Sequence, residues 1–149
     1  MNEPYRELYE EIAAEYGLDW RLLLEQGRRE SGWDPLAIGK AGEYGLMQIH
    51  PATWDQWAAK LDLFDPFDPA SNIRVAAAYW VWLREQLLAR DHPEDYWLLA
   101  AYNWGINNVL KLLDEGGTWD DVPPEVQDYA YDIILAAEAR ATIEAAGGG

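Results

Sequence analysis

Glu30 closes an apolar stretch in the string Glu30-Ser31-Gly32-Trp33-Asp34-Pro35, and a second compact string, Gly45-Leu46-Met47-Gln48-Ile49, follows after a short loop. A carboxyl placed where a helix stops, at Gly32 and Pro35, has packed apolar neighbours behind it and an open loop in front. That setting disfavours the charged form and suits a group that donates a proton near neutral pH. Taken alone, Glu30 also reads as a surface acid at a helix end, paired with Arg28 or Arg29. The neighbouring acids have plainer explanations: Asp34 before a proline, Glu43 in the loop and Asp68 at a helix start all suit turns or caps.

The helix that carries Glu30 starts after Asp19, a good N-cap, and runs through Leu22, Leu23 and Leu24, with Gly27 permitting close packing. Ahead of it Tyr5, Leu8, Tyr9, Ile12, Ala13 and Tyr16 recur at helical intervals, with Pro4 suited to a first turn and Gly17 to the position past the end. Residues 32–50 hold four glycines and read as a loop with room for a small hairpin. Beyond it Pro51 and Thr53 open a helix through Leu61, Asp68 and Pro69 a long one through Leu87, and Pro93 another toward Tyr102. Gly105 breaks that one, a further helix runs to Leu113, and Pro123 and Pro124 introduce a last, Ala-rich helix toward Ala146. The expected fold class is mainly α, with seven helices and almost no strand. Residues 1–146 read as a single domain, and Gly147-Gly148-Gly149 as a flexible tail.

A chain of 149 residues can bury roughly 68% of the surface its unfolded form exposes, enough for one real core. With 27 acidic against 11 basic side chains the net charge is −16, which repels phosphate backbones and argues against nucleic acid as a partner. No apolar run approaches the ~20 residues of a membrane helix, and the segment from Asn2 to Glu7 has neither the basic start nor the apolar centre of a signal peptide. There is no Cys, and His50 and His92 lack a metal-ligand spacing, so neither a metal nor another cofactor is expected.

Four blocks stand in order with compatible gaps: Glu30-Ser31-Gly32-x-x-Pro35, Gly45-Leu46-Met47-Gln48, Ala101-Tyr102-Asn103-Trp104-Gly105 and Pro124-Glu125-Val126-Gln127-Asp128-Tyr129. Together, from Asp19 to Ile134, they resemble a soluble-type lytic transglycosylase domain, within the lysozyme-like superfamily and related to goose-type lysozyme. The resemblance implies a lysozyme-like multi-helix fold that cleaves the β-1,4 bond between N-acetylmuramic acid and N-acetylglucosamine in peptidoglycan. It implies Glu30 as general acid, assistance from the substrate's own N-acetyl group, and Glu30 again as the base that closes a 1,6-anhydro ring without consuming water. Ser31, Met47, Gln48, Tyr102 and Asn103 would contact substrate, and Tyr129 would hydrogen-bond Glu30. The implied partner is the glycan strand, met by a monomer in the cell envelope or outside the cell. Because the domain and its substrate are both anionic, binding should rely on sugar contacts in a cleft more than on long-range steering.

The same residues admit plainer readings: Met47 as core filler, Ser31 as an ordinary helix-end serine, and the tyrosines as packed rings with satisfied hydroxyls. Of nine tryptophans, Trp33 and Trp104 have neighbours that place them near the cleft, whereas Trp20, Trp80, Trp82 and Trp97 fall in helical patterns. One position departs from the resemblance. Gly39 stands where relatives commonly carry a serine, leaving Lys40, Glu43 and Tyr44 as the polar side chains nearby. A serine at that position is expected to restore a family-like polar contact and leave activity unchanged or higher, unless Gly39 adopts positive φ. Two other functions remain compatible: a lysozyme-like hydrolase, for which Glu43 is the only acid between Pro35 and Gln48, and a glycan-binding module of the same fold without turnover.

Overall fold

Seven α-helices occupy most of residues 3–147, the part of the chain that the computed structural model describes. They are α1 (Arg6–Tyr16), α2 (Trp20–Ser31), α3 (Pro51–Leu61), α4 (Pro69–Leu88), α5 (Asp95–Trp104), α6 (Ile106–Asp114) and α7 (Pro124–Gly147), with a short 3-10 turn at Trp119–Asp121. Among the described residues no strand forms, so the mainly-α expectation holds. In place of a hairpin, two isolated antiparallel bridges, Ile38 to Tyr44 and Tyr44 to Ile49, tie the loop after α2. Gly147 ends α7 instead of starting a tail, and the rest of the expected tail, Gly148 and Gly149, lies outside the described residues. The helices fall into two compact units, one up to Tyr79 and the other from Trp80 on.

In the first unit α1 packs on α2. Tyr5 takes a left-handed conformation with φ 67°, so α1 starts at Arg6, after Pro4 has already fixed the chain. At the other end Gly17, φ 68°, sends its N–H back to the carbonyls of Ala13 and Ala14 and stops the helix. The Asp19 side chain accepts from the Arg21 N–H at 2.9 Å and starts α2. Tyr9 and Ile12 from α1 and Leu23 and Leu24 from α2 are fully buried, each contributing about 1.5–3 kcal/mol on the usual scale.

Gly27 earns its place in this interface. The Tyr9 ring crosses α2 there so closely that a Cβ on residue 27 would lie 2.2 Å from the Tyr9 hydroxyl oxygen. That hydroxyl continues to the Met47 sulfur at 3.4 Å. Burial pushes the Tyr9 phenol well above its ordinary pKa, so it stays a neutral donor. The same glycine leaves room for Trp33, whose indole N–H returns to the Leu24 carbonyl at 2.9 Å.

The second unit is built on α5, which packs against α6 and α7. Trp97, Leu98, Leu99, Ala100 and Ala101 of α5 are buried, as are Val126, Tyr129, Ala130, Ile133 and Ala137 of α7, at the three- and four-residue spacing of one helix face. Trp80, Leu83 and Leu87 from the end of α4, Val109 of α6 and Val122 are buried as well. Trp119, in the 3-10 turn, meets Tyr96, Trp97 and Tyr131 edge-on with ring centres 4.6, 5.1 and 5.9 Å away, and donates its indole N–H to the Tyr131 hydroxyl.

The Tyr9 crossing gives a direct expectation. Gly27→Ala should lower stability by about 1–3 kcal/mol through overpacking, and adding Tyr9→Phe, which removes the colliding oxygen, should recover part of that loss. Urea titrations of both single variants and the double variant give the coupling, and simple additivity would contradict the crossing.

Candidate active site

Glu30 rides in the last turn of α2 and is partly exposed, one residue before Ser31 and two before the left-handed Gly32, φ 63°. Just inside the same helix Glu25, only 4% exposed, takes the Arg28 guanidinium at 2.5 Å, which turns Arg28 toward the helix body. Ser31 makes the connection to the second motif. Its hydroxyl lies 2.8 Å from the Leu46 carbonyl and 3.2 Å from the Gly27 carbonyl, and it accepts from the Asp34 N–H at 3.2 Å.

The Gly45-Leu46-Met47-Gln48 segment is held from below by Asn72 on α4. Its side-chain carbonyl accepts from the Met47 N–H at 2.8 Å, and its amide nitrogen donates to the Tyr44 and Pro66 carbonyls, each at 2.9 Å. Gly45 has φ 66°, and a Cβ there would come within 2.7 Å of the Asn72 amide nitrogen, so only glycine passes between the amide and the Pro35 and Pro66 carbonyls. The Met47 side chain is fully buried, its sulfur against the Tyr9 hydroxyl.

Gln48 sits at φ 47°, a left-handed conformation costly for a side-chain-bearing residue. Its amide nitrogen donates to the Gly45 carbonyl at 3.0 Å and to the Ala37 carbonyl at 3.3 Å, so the N–H groups are spent on the loop itself. What remains is the side-chain oxygen, an acceptor. That oxygen and a carboxylate oxygen of Glu43 converge over Gly39, lying 2.5 and 2.7 Å from where a Cβ on residue 39 would stand. The same Glu43 oxygen accepts from the Ala41 N–H at 2.7 Å.

The remaining expected site residues belong to the second unit. Tyr102 and Asn103 lie near the end of α5, the first half-buried and the second exposed. Tyr129 is 3% exposed on the face of α7 that also carries Val126 and Ile133. The structure thus brings Ser31, Met47 and Gln48 together around the end of α2 and sets the three others on two packed helices.

The family model described as the Transglycosylase SLT domain matches residues 7–121. This chain belongs to that family. Among curated relatives it is 39% identical over 107 residues to membrane-bound lytic murein transglycosylase F 1 of Alkalilimnicola ehrlichii, covering 70% of this chain and 21% of that protein. It is 33% identical over 140 residues to membrane-bound lytic murein transglycosylase C of Mannheimia succiniciproducens, covering 87% and 36%. The chain therefore spans about a fifth to a third of the length of these relatives. The fold matches lytic transglycosylase Slt of Pseudomonas aeruginosa, with a TM-score of 0.76 at 24% identity over 90% of this chain and 23% of that one. It matches the 70 kDa soluble lytic transglycosylase of Escherichia coli equally, with a TM-score of 0.76 at 22% identity over 89% and 23%.

Within this SLT domain, the sequence reading missed Asn72. Its signal was present: an amide on an otherwise apolar helical face, flanked by Ile73, Val75 and Ala76, is costly unless every polar atom is bonded. Trp33, expected near the cleft, is partly exposed and donates its indole N–H to the Leu24 carbonyl at 2.9 Å, fixing the chain as it leaves α2. His50 serves as the N-cap of α3, its ring nitrogen 3.2 Å from the Ala52 N–H. Gly39 has no positive φ; a Cβ there would meet the ends of the Gln48 and Glu43 side chains, which must shift to admit a serine.

Two outcomes are expected. Asn72→Asp keeps the acceptor for Met47 but loses both donors, leaving the Pro66 carbonyl without that partner and the Tyr44 carbonyl with only the Ile49 N–H, beside a carboxylate. It should cost roughly 2–5 kcal/mol in a denaturant titration. Gly39→Ser must push the Gln48 oxygen or the Glu43 carboxylate aside, so a folded variant should show lower turnover of cell-wall substrate. A melting curve beside a muropeptide-release assay checks this, and undiminished release would mean the crowding has no bearing on the site.

Proposed function

We propose that this SLT domain is a peptidoglycan lytic transglycosylase that cleaves between N-acetylmuramic acid and N-acetylglucosamine and leaves 1,6-anhydromuramic ends. The observation that carries the reading is the junction at the end of α2. Ser31 locks the helix end to Leu46, and two residues farther on Gln48 keeps a side-chain oxygen free over Gly39. The names of the relatives, lytic murein transglycosylases F and C, support the same substrate. The family model crosses the Tyr79–Trp80 boundary, which supports treating residues 1–146 as one catalytic domain.

The reaction needs one carboxyl twice. Protonated Glu30 gives its proton to the bridging oxygen as the bond to C1 of the muramic residue breaks, while the substrate's N-acetyl oxygen bonds to C1. The resulting Glu30 carboxylate takes the proton of the 6-hydroxyl, whose oxygen displaces the N-acetyl oxygen from C1. The acid is regenerated and no water enters. Gln48, with its N–H groups committed to the loop, suits an N-acetyl N–H donor. Met47 supports the loop from within the core. Tyr102, Asn103 and Tyr129, on the packed helices α5 and α7, would contact the sugar. The membrane-bound relatives support a setting in the cell envelope, although no described helix of this chain is long and apolar enough to cross a membrane.

One observation favours a second reading. Glu43 places a carboxylate next to the Gln48 oxygen, so a water held there could compete with the 6-hydroxyl and give some hydrolysed ends. Mass spectrometry of muropeptides released from purified sacculi separates the two, since anhydro and reducing ends differ by one water. The anhydro form is expected to dominate.

Glu30→Gln should retain the fold and lose at least about a hundredfold in release rate, the usual scale for removing a general acid. Near-native turnover in a folded Glu30→Gln protein would overturn the assignment. Tyr129→Phe should lower turnover by a larger factor than its effect on the folded fraction, as read by paired rate assays and thermal melts; equal losses would make the ring a packing residue only.

A further inference from the structure

The second unit holds a groove of about 400 Å³ lined by Trp104, Asn108, Lys111, Leu112, Glu115, Gly117 and Asp121. Its shape is built in. After α6 the Gly117 N–H returns to the Leu112 carbonyl at 2.8 Å, and a Cβ on Gly117 would lie 2.7 Å from the Leu112 side chain, so only a glycine lets the turn fold down to form the groove floor. Asp121 is fixed by its carboxylate, which accepts from the Thr118 N–H at 2.8 Å. Asn108 is fixed by its amide nitrogen, which donates to the Trp104 carbonyl at 2.7 Å and leaves its side-chain oxygen as a spare acceptor.

The charges in this groove are not used on one another. Lys111 and Glu115 are four residues apart on α6, yet neither has an ion-pair partner among the described residues. On a chain with net charge −16, an unpaired ammonium beside a half-exposed indole is a place for an anion that also brings an apolar face.

We propose that this groove is a second binding site, for an amino sugar carrying an amphoteric peptide. The pyranose face would lie on the Trp104 indole and its N-acetyl N–H would donate to the Asn108 oxygen. A carboxylate of the peptide would pair with Lys111, and an ammonium of a diamino residue would reach Glu115 or Asp121. Trp104 follows directly on Tyr102 and Asn103, so one helix end serves both the proposed sugar path and this groove. The identity of the ligand rests on the transglycosylase reading; the groove itself does not.

The test uses the full chain carrying Glu30→Gln, so that nothing is cleaved during titration. The probe is a disaccharide peptide of cell-wall type whose stem contains a diamino acid, with uncharged chitotetraose for comparison. The readout is the indole N–H resonance of Trp104, identified by its disappearance in Trp104→Phe. The disaccharide peptide should shift that resonance with saturation, and Lys111→Ala should weaken its apparent affinity at least fivefold, with a smaller loss at high salt. Chitotetraose should bind at this resonance the same with or without Lys111. A silent Trp104 resonance, or a peptide affinity indifferent to Lys111→Ala, would overturn the site or its ligand class. Muropeptide release by the native chain with a silent Trp104 sinks only this inference. A Lys111-dependent shift in a chain that releases nothing sinks the transglycosylase reading and leaves the groove.

Discussion

A loop that is buried must bond its own backbone, and the Gly45–Met47 stretch is buried. Everything proposed for the site depends on how that demand is met. The Met47 N–H goes to Asn72, the Leu46 carbonyl to Ser31, and the Gly45 carbonyl to the Gln48 side chain. Each of these bonds is worth only about 1 kcal/mol net, but leaving any of the groups bare inside the unit would cost about 1–3 kcal/mol. The loop therefore has one low-energy position, against the end of α2. Glu30 and Gln48 inherit their places from it.

This arrangement explains which side-chain atoms are left for chemistry. Gln48 spends its donors and keeps an acceptor; Ser31 spends its hydroxyl on Leu46 and acts by holding the helix end; Met47 is sealed in the core. Gly39 provides the open notch into which the Gln48 and Glu43 oxygens converge. Two acceptors facing one space favour a bound donor there, whether an N–H of the sugar or a water.

Much of the frame was legible in the sequence because its punctuation is local. Gly17 and Gly32 take the left-handed conformation that ends a helix, and Pro51, Pro69 and Pro124 each stand at the first position of one. Boundaries shifted by a residue or two: Tyr5 turns left-handed before α1, and α5 starts at Asp95, two residues after Pro93, with Glu94 extended at the N-cap position. Hidden from sequence were the contacts between distant positions. Nothing local to Gly27 announces the Tyr9 ring, and nothing near Asn72 announces the Met47 N–H, 25 residues away. Likewise, nothing local to Trp33 announces that its indole N–H returns to the Leu24 carbonyl, nine residues back.

The central claim is that one carboxyl, Glu30, acts as acid and then base on the substrate's own 6-hydroxyl, with the loop fixed by Ser31 and Asn72 positioning the sugar. The most direct measurement is digestion of purified sacculi by the chain in water enriched in oxygen-18, followed by mass analysis of the new glycan ends. The account predicts that the new muramic ends carry only oxygen-16, because the oxygen that closes onto C1 comes from the sugar. Stoichiometric incorporation of oxygen-18 at C1 would contradict it and make the enzyme a hydrolase.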